Sequence, residues 1–123
     1  MFTEEQFSPD GRYLLRIAAI PMRMSHEVNS PSLIEVETQT VIFDPGNMWD
    51  AGKIQWSEDS KTLQMGFRLY PDGNIYFDLV IDLAAGLATL IYNEKTALND
   101  TLAEVQKTMK ETYNARSLTK LAK

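Results

Sequence analysis

At 123 residues the chain has room for one domain, which buries about two-thirds of its unfolded surface and needs no metal or disulfide to fold. It has no cysteine, which excludes disulfides and thiolate chemistry and suits a reducing compartment. The net charge of −5 is uneven: residues 1–106 carry 7 Lys/Arg against 16 Asp/Glu, an acidic body of −9 that disfavours nucleic acid, while residues 107–123 carry a balance of +4.

The N-terminal Met1-Phe2-Thr3-Glu4-Glu5 shows no basic region followed by an apolar one, so no signal peptide is expected. Ser8-Pro9-Asp10-Gly11 is a turn, because proline presets φ and glycine supplies a positive one. Residues 12–20 then read as a strand with Tyr13, Leu15, Ile17 and Ala19 on one face. Leu14, Ala18 and Ile20 make its other face apolar too, which predicts a central or sandwiched strand. Pro21 ends it, and residues 22–31 have no clear period and read as a long connection. Residues 33–37 alternate strictly, residues 40–43 form the next strand, and Asp44-Pro45-Gly46-Asn47 is another turn.

The second half is clearer. Leu63, Met65, Phe67 and Leu69 share one face of a strand over 62–70, and Asp72-Gly73 is a hairpin turn. Ile75, Phe77, Leu79, Ile81 and Leu83 alternate with Tyr76, Asp78, Val80 and Asp82, the pattern of one buried and one wet face. Ala84-Ala85-Gly86 turns the chain into a strand over 87–92. The apolar residues 79–92 are interrupted by Asp82, Gly86 and Thr89 and are too few for a membrane span. From residue 94 the period becomes helical: Leu98, Leu102, Val105, Met109 and Tyr113 form a stripe that predicts an amphipathic helix over about 96–114, with Thr101-x-x-Glu104 as a capping box. The expected fold is mainly β (α+β): an antiparallel meander or small sandwich of six or seven strands. It divides into a first β unit over 7–48, a second over 49–93, a helix within 94–114 and a tail over 115–123.

Two phrases recur 49 residues apart. Phe7-Ser8-Pro9-Asp10-Gly11 opens one apolar run and Trp56-Ser57-Glu58-Asp59-Ser60 opens another, while Val41-Ile42-Phe43-Asp44 precedes Leu90-Ile91-Tyr92-Asn93 by the same interval. A fixed period of this size predicts two copies of one antiparallel unit. Phe-Ser-Pro-Asp-Gly before a strand, with Ile81-Asp82-Leu83 before the Gly86 turn, resembles the blade pattern of TolB-type and WD40-like β-propellers over most of residues 7–92. The resemblance implies four-stranded antiparallel units. A closed propeller needs four or more blades, so two units imply an open arrangement. Met22-Arg23-Met24-Ser25-His26 with Ser30-Pro31-x-Leu33 resembles a segment of small bacterial proteins and implies no activity.

His26 is the only histidine, and no Gly-x-Ser-x-Gly elbow, Walker loop, dinucleotide fingerprint or calcium loop is present, so neither a metal nor a cofactor is expected. Asp78 and Asp82 stand about 13 Å apart along a strand, too far for a retaining glycosidase pair. The residues expected to bind are Arg23, Met24, His26, Trp49 and Asp50 in the loops, because tryptophan, arginine and methionine favour interfaces. The stripe Leu98, Leu102, Val105 and Met109 is expected to pack either the core or a dimer seam. The chain thus reads as a cytoplasmic protein-binding or self-associating module, a possible homodimer, without nucleic-acid or membrane partners. Two alternatives follow: an immunity or inhibitor protein for a basic toxin or nuclease, and a small hydrolase using His26 with Glu27 or Asp50.

Overall fold

The computed structural model describes residues 2–22, 26–70 and 75–115, and among them the protein is mainly β, as the alternating runs predict. Strands β1 (Phe2–Phe7), β2 (Tyr13–Pro21), β3 (Glu27–Glu35) and β4 (Thr40–Phe43) form one antiparallel sheet in chain order. Strands β5 (Trp49–Trp56), β6 (Thr62–Leu69), β7 (Tyr76–Asp82), β8 (Leu87–Tyr92) and β9 (Lys95–Thr101) form a second, and helix α1 (Leu102–Ala115) follows. No helix among the described residues is long and apolar enough to cross a membrane.

The core lies between the sheets and under the helix. Tyr13, Leu15, Ile17, Leu33 and Phe43 of the first sheet meet Leu63, Met65, Phe67, Leu69, Phe77, Leu79, Ile81 and Leu90 of the second. Period-two alternation puts these residues on one face of each strand, and burying that face is the main drive to stack the sheets. Leu102, Val105 and Met109, at steps of three and four, close the core from the helix side. The Tyr13 hydroxyl donates to the Leu83 carbonyl at 3.3 Å and ties one sheet to the other inside the core.

The nine strands among the described residues exceed the six or seven expected. The three that escape prediction are β1, β5 and β9, and each owes its existence to pairing. In β1, Glu4, Glu5 and Gln6 show no apolar alternation, yet the strand pairs residue by residue with β2 from Phe2–Ala19 to Phe7–Leu14. In β5, a register shift between Gly52 and Gln55 and a positive φ of 50° at Lys53 break the period. The segment expected to open the helix is β9, so Leu98 sits on a strand opposite Leu90. Thr101 decides the boundary: its hydroxyl accepts the Glu104 N–H at 3.2 Å, so the helix starts one residue after this cap. The long connection expected over 22–31 shortens, because β3 begins at Glu27 and pairs with β2 through Pro21–Glu27. Pro31 is tolerated inside β3 because β4, whose last pair is Leu33–Phe43, does not reach it. The Asp72-Gly73 turn lies outside the described residues.

The turns before β2 and β6 close with the same bonds. Ser8 N–H donates to the Tyr13 carbonyl at 2.9 Å, and Ser57 N–H to the Thr62 carbonyl at 2.8 Å. The Ser8 hydroxyl donates to Asp10 Oδ1 at 2.7 Å and accepts the Tyr13 N–H, while the Ser57 hydroxyl donates to Asp59 Oδ1 at 2.6 Å and accepts the Thr62 N–H. Gly11 and Ser60 hold the same left-handed position, with φ of 73° and 61°. Beyond the turns, Val36 N–H reaches the Arg12 carbonyl as Leu83 N–H reaches that of Lys61. Tyr13 pairs with Glu35, and Thr62 with Asp82, so a correspondence of 49 residues at the turns becomes 47 across the hairpin. Val41 therefore corresponds to Ala88, and the echo of 41–44 in 90–93 at 49 residues is out of register with the pairing. The two turns also touch, since Asp10 N–H donates to the Ser60 hydroxyl at 2.9 Å.

These bonds hold both turn carboxyls below the usual carboxylate range. At Asp10 the Arg12 N–H acts most strongly, then the Ser8 hydroxyl; at Asp59 the Ser57 hydroxyl acts first, then the Lys61 N–H. A carboxyl with a lowered folded pKa stabilises the fold fully above its unfolded value of 3.8, and that stabilisation is lost as pH falls through the lower folded value. Asp10→Asn and Asp59→Asn are expected to lower the urea midpoint at neutral pH. Each gap to wild type is expected to close below the ordinary carboxylate range, and a gap independent of pH would refute this role.

Candidate functional site

Of the residues expected to bind, His26, Trp49 and Asp50 lie among the described residues. Arg23 and Met24 lie outside the described residues. His26 is exposed; its carbonyl accepts the Met22 N–H at 2.7 Å and its ring stands 6.3 Å from that of Tyr70. Trp49 is not in a loop but opens β5, fully buried in the core. Its indole N–H donates to the Met109 carbonyl at 3.1 Å, and its ring packs edge-on against Phe67 and tilted against Phe77. A side chain with no exposed surface offers a partner nothing to touch, so Trp49 serves the core. Asp50 Oδ1 accepts the Asn29 N–H at 2.8 Å, which fastens the start of β5 to β3. Leu102, Val105 and Met109 are buried in the core, with Leu98 half-buried against it. Of the two roles expected for the stripe, they fill the first.

The carboxylate of Asp50 is engaged by the β3 backbone, and Glu27 is exposed on β3. Among the described residues no group of three or more His, Cys, Asp or Glu is placed to hold a metal ion. The two carboxyls with lowered pKa both serve turns.

The free face of the second sheet carries a groove of about 390 Å³ of mixed lining, with Lys53, Gln55, Gln64 and Asp78 beside Val80 and Ile91. Gly66 shapes its floor: without a side chain there, the Tyr76 ring lies across β6, and a Cβ would run into the Tyr76 hydroxyl. That hydroxyl donates to Asp78 Oδ1 at 3.1 Å, and Lys53 Nζ stands 5.5 Å from the ring centroid. Tyr76 is therefore engaged at its hydroxyl by Asp78 and at its ring by Lys53.

The free face of the first sheet is different. Four apolar side chains stand in one row across all four strands, paired in register: Phe7 with Leu14, Leu14 with Ile34, and Ile34 with Val41. Paired residues project to the same side of a sheet. Phe7 is 57% exposed and Val41 54%, while Leu14 and Ile34 between them are 8% exposed each. None of the four belongs to the core cluster. Next to the row, Arg16 Nε and Glu5 Oε2 form an ion pair at 3.0 Å, half-exposed on both sides. The row thus has two exposed ends and a buried middle, with a surface ion pair beside it.

Sequence reading finds one part of this row, the outward Leu14 on a strand apolar on both faces. The rest depends on pairing register, because Phe7, Leu14, Ile34 and Val41 meet only once three hairpins have formed. Compared with known protein families, curated proteins and solved structures, the chain matches none.

Proposed function

We propose that the chain is a protein-binding module of two like antiparallel units, of four and five strands, related to the blades of TolB-type and WD40-like propellers, and that it recognises its partner through a sheet face without covalent chemistry. The observation that carries this reading is the row Phe7–Leu14–Ile34–Val41 outside the core cluster, with Phe7 and Val41 exposed at its ends. A cysteine-free acidic chain suits work in a reducing compartment, and the cytoplasm is the setting proposed. The acidic balance of −9 over residues 1–106 favours one narrower version, neutralisation of a basic toxin or nuclease, because opposite charge speeds encounter and selects partners.

The test is capture of partners from a native lysate by wild type and by a Phe7→Ser, Val41→Glu double variant, at low and high salt. A protein retained by wild type and lost with the variant supports the reading. One basic protein released by salt supports the narrower version. Partners held equally by both forms would move recognition to another surface. With no partner and no self-association, the module reading fails.

A further inference from the structure

Strand β5 reverses the phase of its alternation beside the groove of the second sheet. Trp49 and Ala51 face the core, and strict alternation would turn Lys53 and Gln55 inward after them. The register shift between Gly52 and Gln55 prevents this. Ile54 and Trp56 pack against the core instead, and Lys53 and Gln55 stand exposed. The reversal holds Lys53 at a φ of 50°, a left-handed conformation that a residue with a side chain adopts at a cost. Its result is a line of paired side chains on the free face: Gln55 with Gln64, and Gln64 with Val80. The amides of Gln55 and Gln64 make no hydrogen bond to another described residue. Tyr76 fixes the two charges of the groove, since its hydroxyl engages Asp78 Oδ1 and its ring lies 5.5 Å from Lys53 Nζ. Lys53 and Asp78 cancel, so the lining carries no net charge.

From this we infer that the groove is a binding site for a neutral saccharide, a recognition surface separate from the row of the first sheet. A lining with one charge of each sign meets any simple ion with one attraction and one repulsion, which favours an uncharged ligand. Each glutamine amide offers a donor and an acceptor side by side, Lys53 adds donors and Asp78 an acceptor. A hydroxyl both donates and accepts, so a polyol can use this whole inventory. The apolar residues have a place in the same scheme. Val80 is paired with Gln64 and Ile91 with Asp78, so each polar group has an apolar neighbour. The C–H face of a pyranose ring covers such neighbours while its hydroxyls reach the polar groups, whereas a wholly apolar ligand would strip those groups of water without replacing it. From β5 to β8 the groove crosses three inter-strand steps, about 14 Å, the reach of a short oligosaccharide. Its volume of about 390 Å³ falls within the roughly 300–1,000 Å³ of small-molecule sites. A few neutral hydrogen bonds in an open groove give weak binding, with a Kd on the order of 1 mM.

Titration of the ¹⁵N-labelled chain with maltotriose, cellotriose, mannotriose and triacetylchitotriose, each up to about 20 mM and followed by ¹H–¹⁵N NMR, tests the inference across this Kd. At least one sugar is expected to shift the side-chain amide signals of Gln55 and Gln64 and the backbone signals of Gly66 and Asp78 to saturation, leaving those of β1 to β4 in place. Gln55→Ala and Gln64→Ala, both at exposed positions, are each expected to weaken binding about three- to tenfold, with an unchanged spectrum elsewhere showing that they fold. Val41→Glu, at the far row, is expected to bind sugar like wild type. The absence of a saturable shift with every sugar overturns the inference, as does a shift that both glutamine variants leave unaltered. A response to glucose 6-phosphate or to N-acetyl-triglycine amide, with none to the neutral sugars, overturns it too and gives the groove to an anion or a peptide. The module reading rests on the row of the first sheet and is tested by partner capture, so the two can fail separately.

Discussion

Trp49→Ala is expected to destabilise the fold by about 3–5 kcal/mol, the range for deleting a fully buried tryptophan. A domain of this kind has a total stability of about 5–15 kcal/mol, so the variant stands at or near the edge of folding. The cause is local and threefold. The indole fills the space where β5, β6 and β7 meet, against Phe67 and Phe77, and little of that volume can be recovered by collapse. Its N–H holds the Met109 carbonyl, so the same side chain also fastens α1 to the sheet. Trp49→Phe keeps most of the apolar volume and loses that bond, and it is expected to cost less, with about 1 kcal/mol attributable to the bond. Urea unfolding followed by far-UV circular dichroism measures both. A Trp49→Ala variant within about 1 kcal/mol of wild type would show that Trp49 is not a core anchor.

The contrast between Trp49 and the strands around it shows what can be read from a sequence of this kind. β6 and β7 are legible because one face is dry and the other wet, so Leu63, Met65, Phe67, Leu79 and Ile81 write the period directly. Trp49 follows a Pro-Gly turn and precedes Gly52-Lys53, where β5 shifts register, so no period announces the strand. β1 is illegible for a different reason: Glu4 and Glu5 lie on an edge strand, where backbone pairing needs no apolar side chain. In β9, Leu98 stands four residues before Leu102 and mimics a helical stripe. The Thr101 cap and the pairing with β8 set the true boundary. The candidate surface is harder still to foresee. It is made of four residues on four strands, and only the register of three hairpins brings them into line.

The correspondence between the sheets makes its sharpest demand at Val41 and Ala88. Both follow the same hairpin, both stand opposite an isoleucine, and the two differ in what lies above them. Ala88 is 1% exposed inside the core, whereas Val41 is open to solvent. Ala88→Glu forces a larger side chain into close-packed surroundings, which alone costs about 1–3 kcal/mol, and it brings a carboxyl without a partner into the apolar interior. A total loss of about 4 kcal/mol or more is expected, enough to unfold much of the population. Val41→Glu places the same carboxylate in water on a short edge strand, and a change within about 0.5 kcal/mol is expected in dilute solution. Urea midpoints of the two variants, at a concentration where wild type is monomeric, decide the matter. Equal, severe losses would mean that the first sheet also buries this row within the monomer. Two mild effects would mean that Ala88 is not held in a close-packed core. Only the divergent pair fits a chain that buries this row in the second sheet and leaves its end exposed at Val41 in the first.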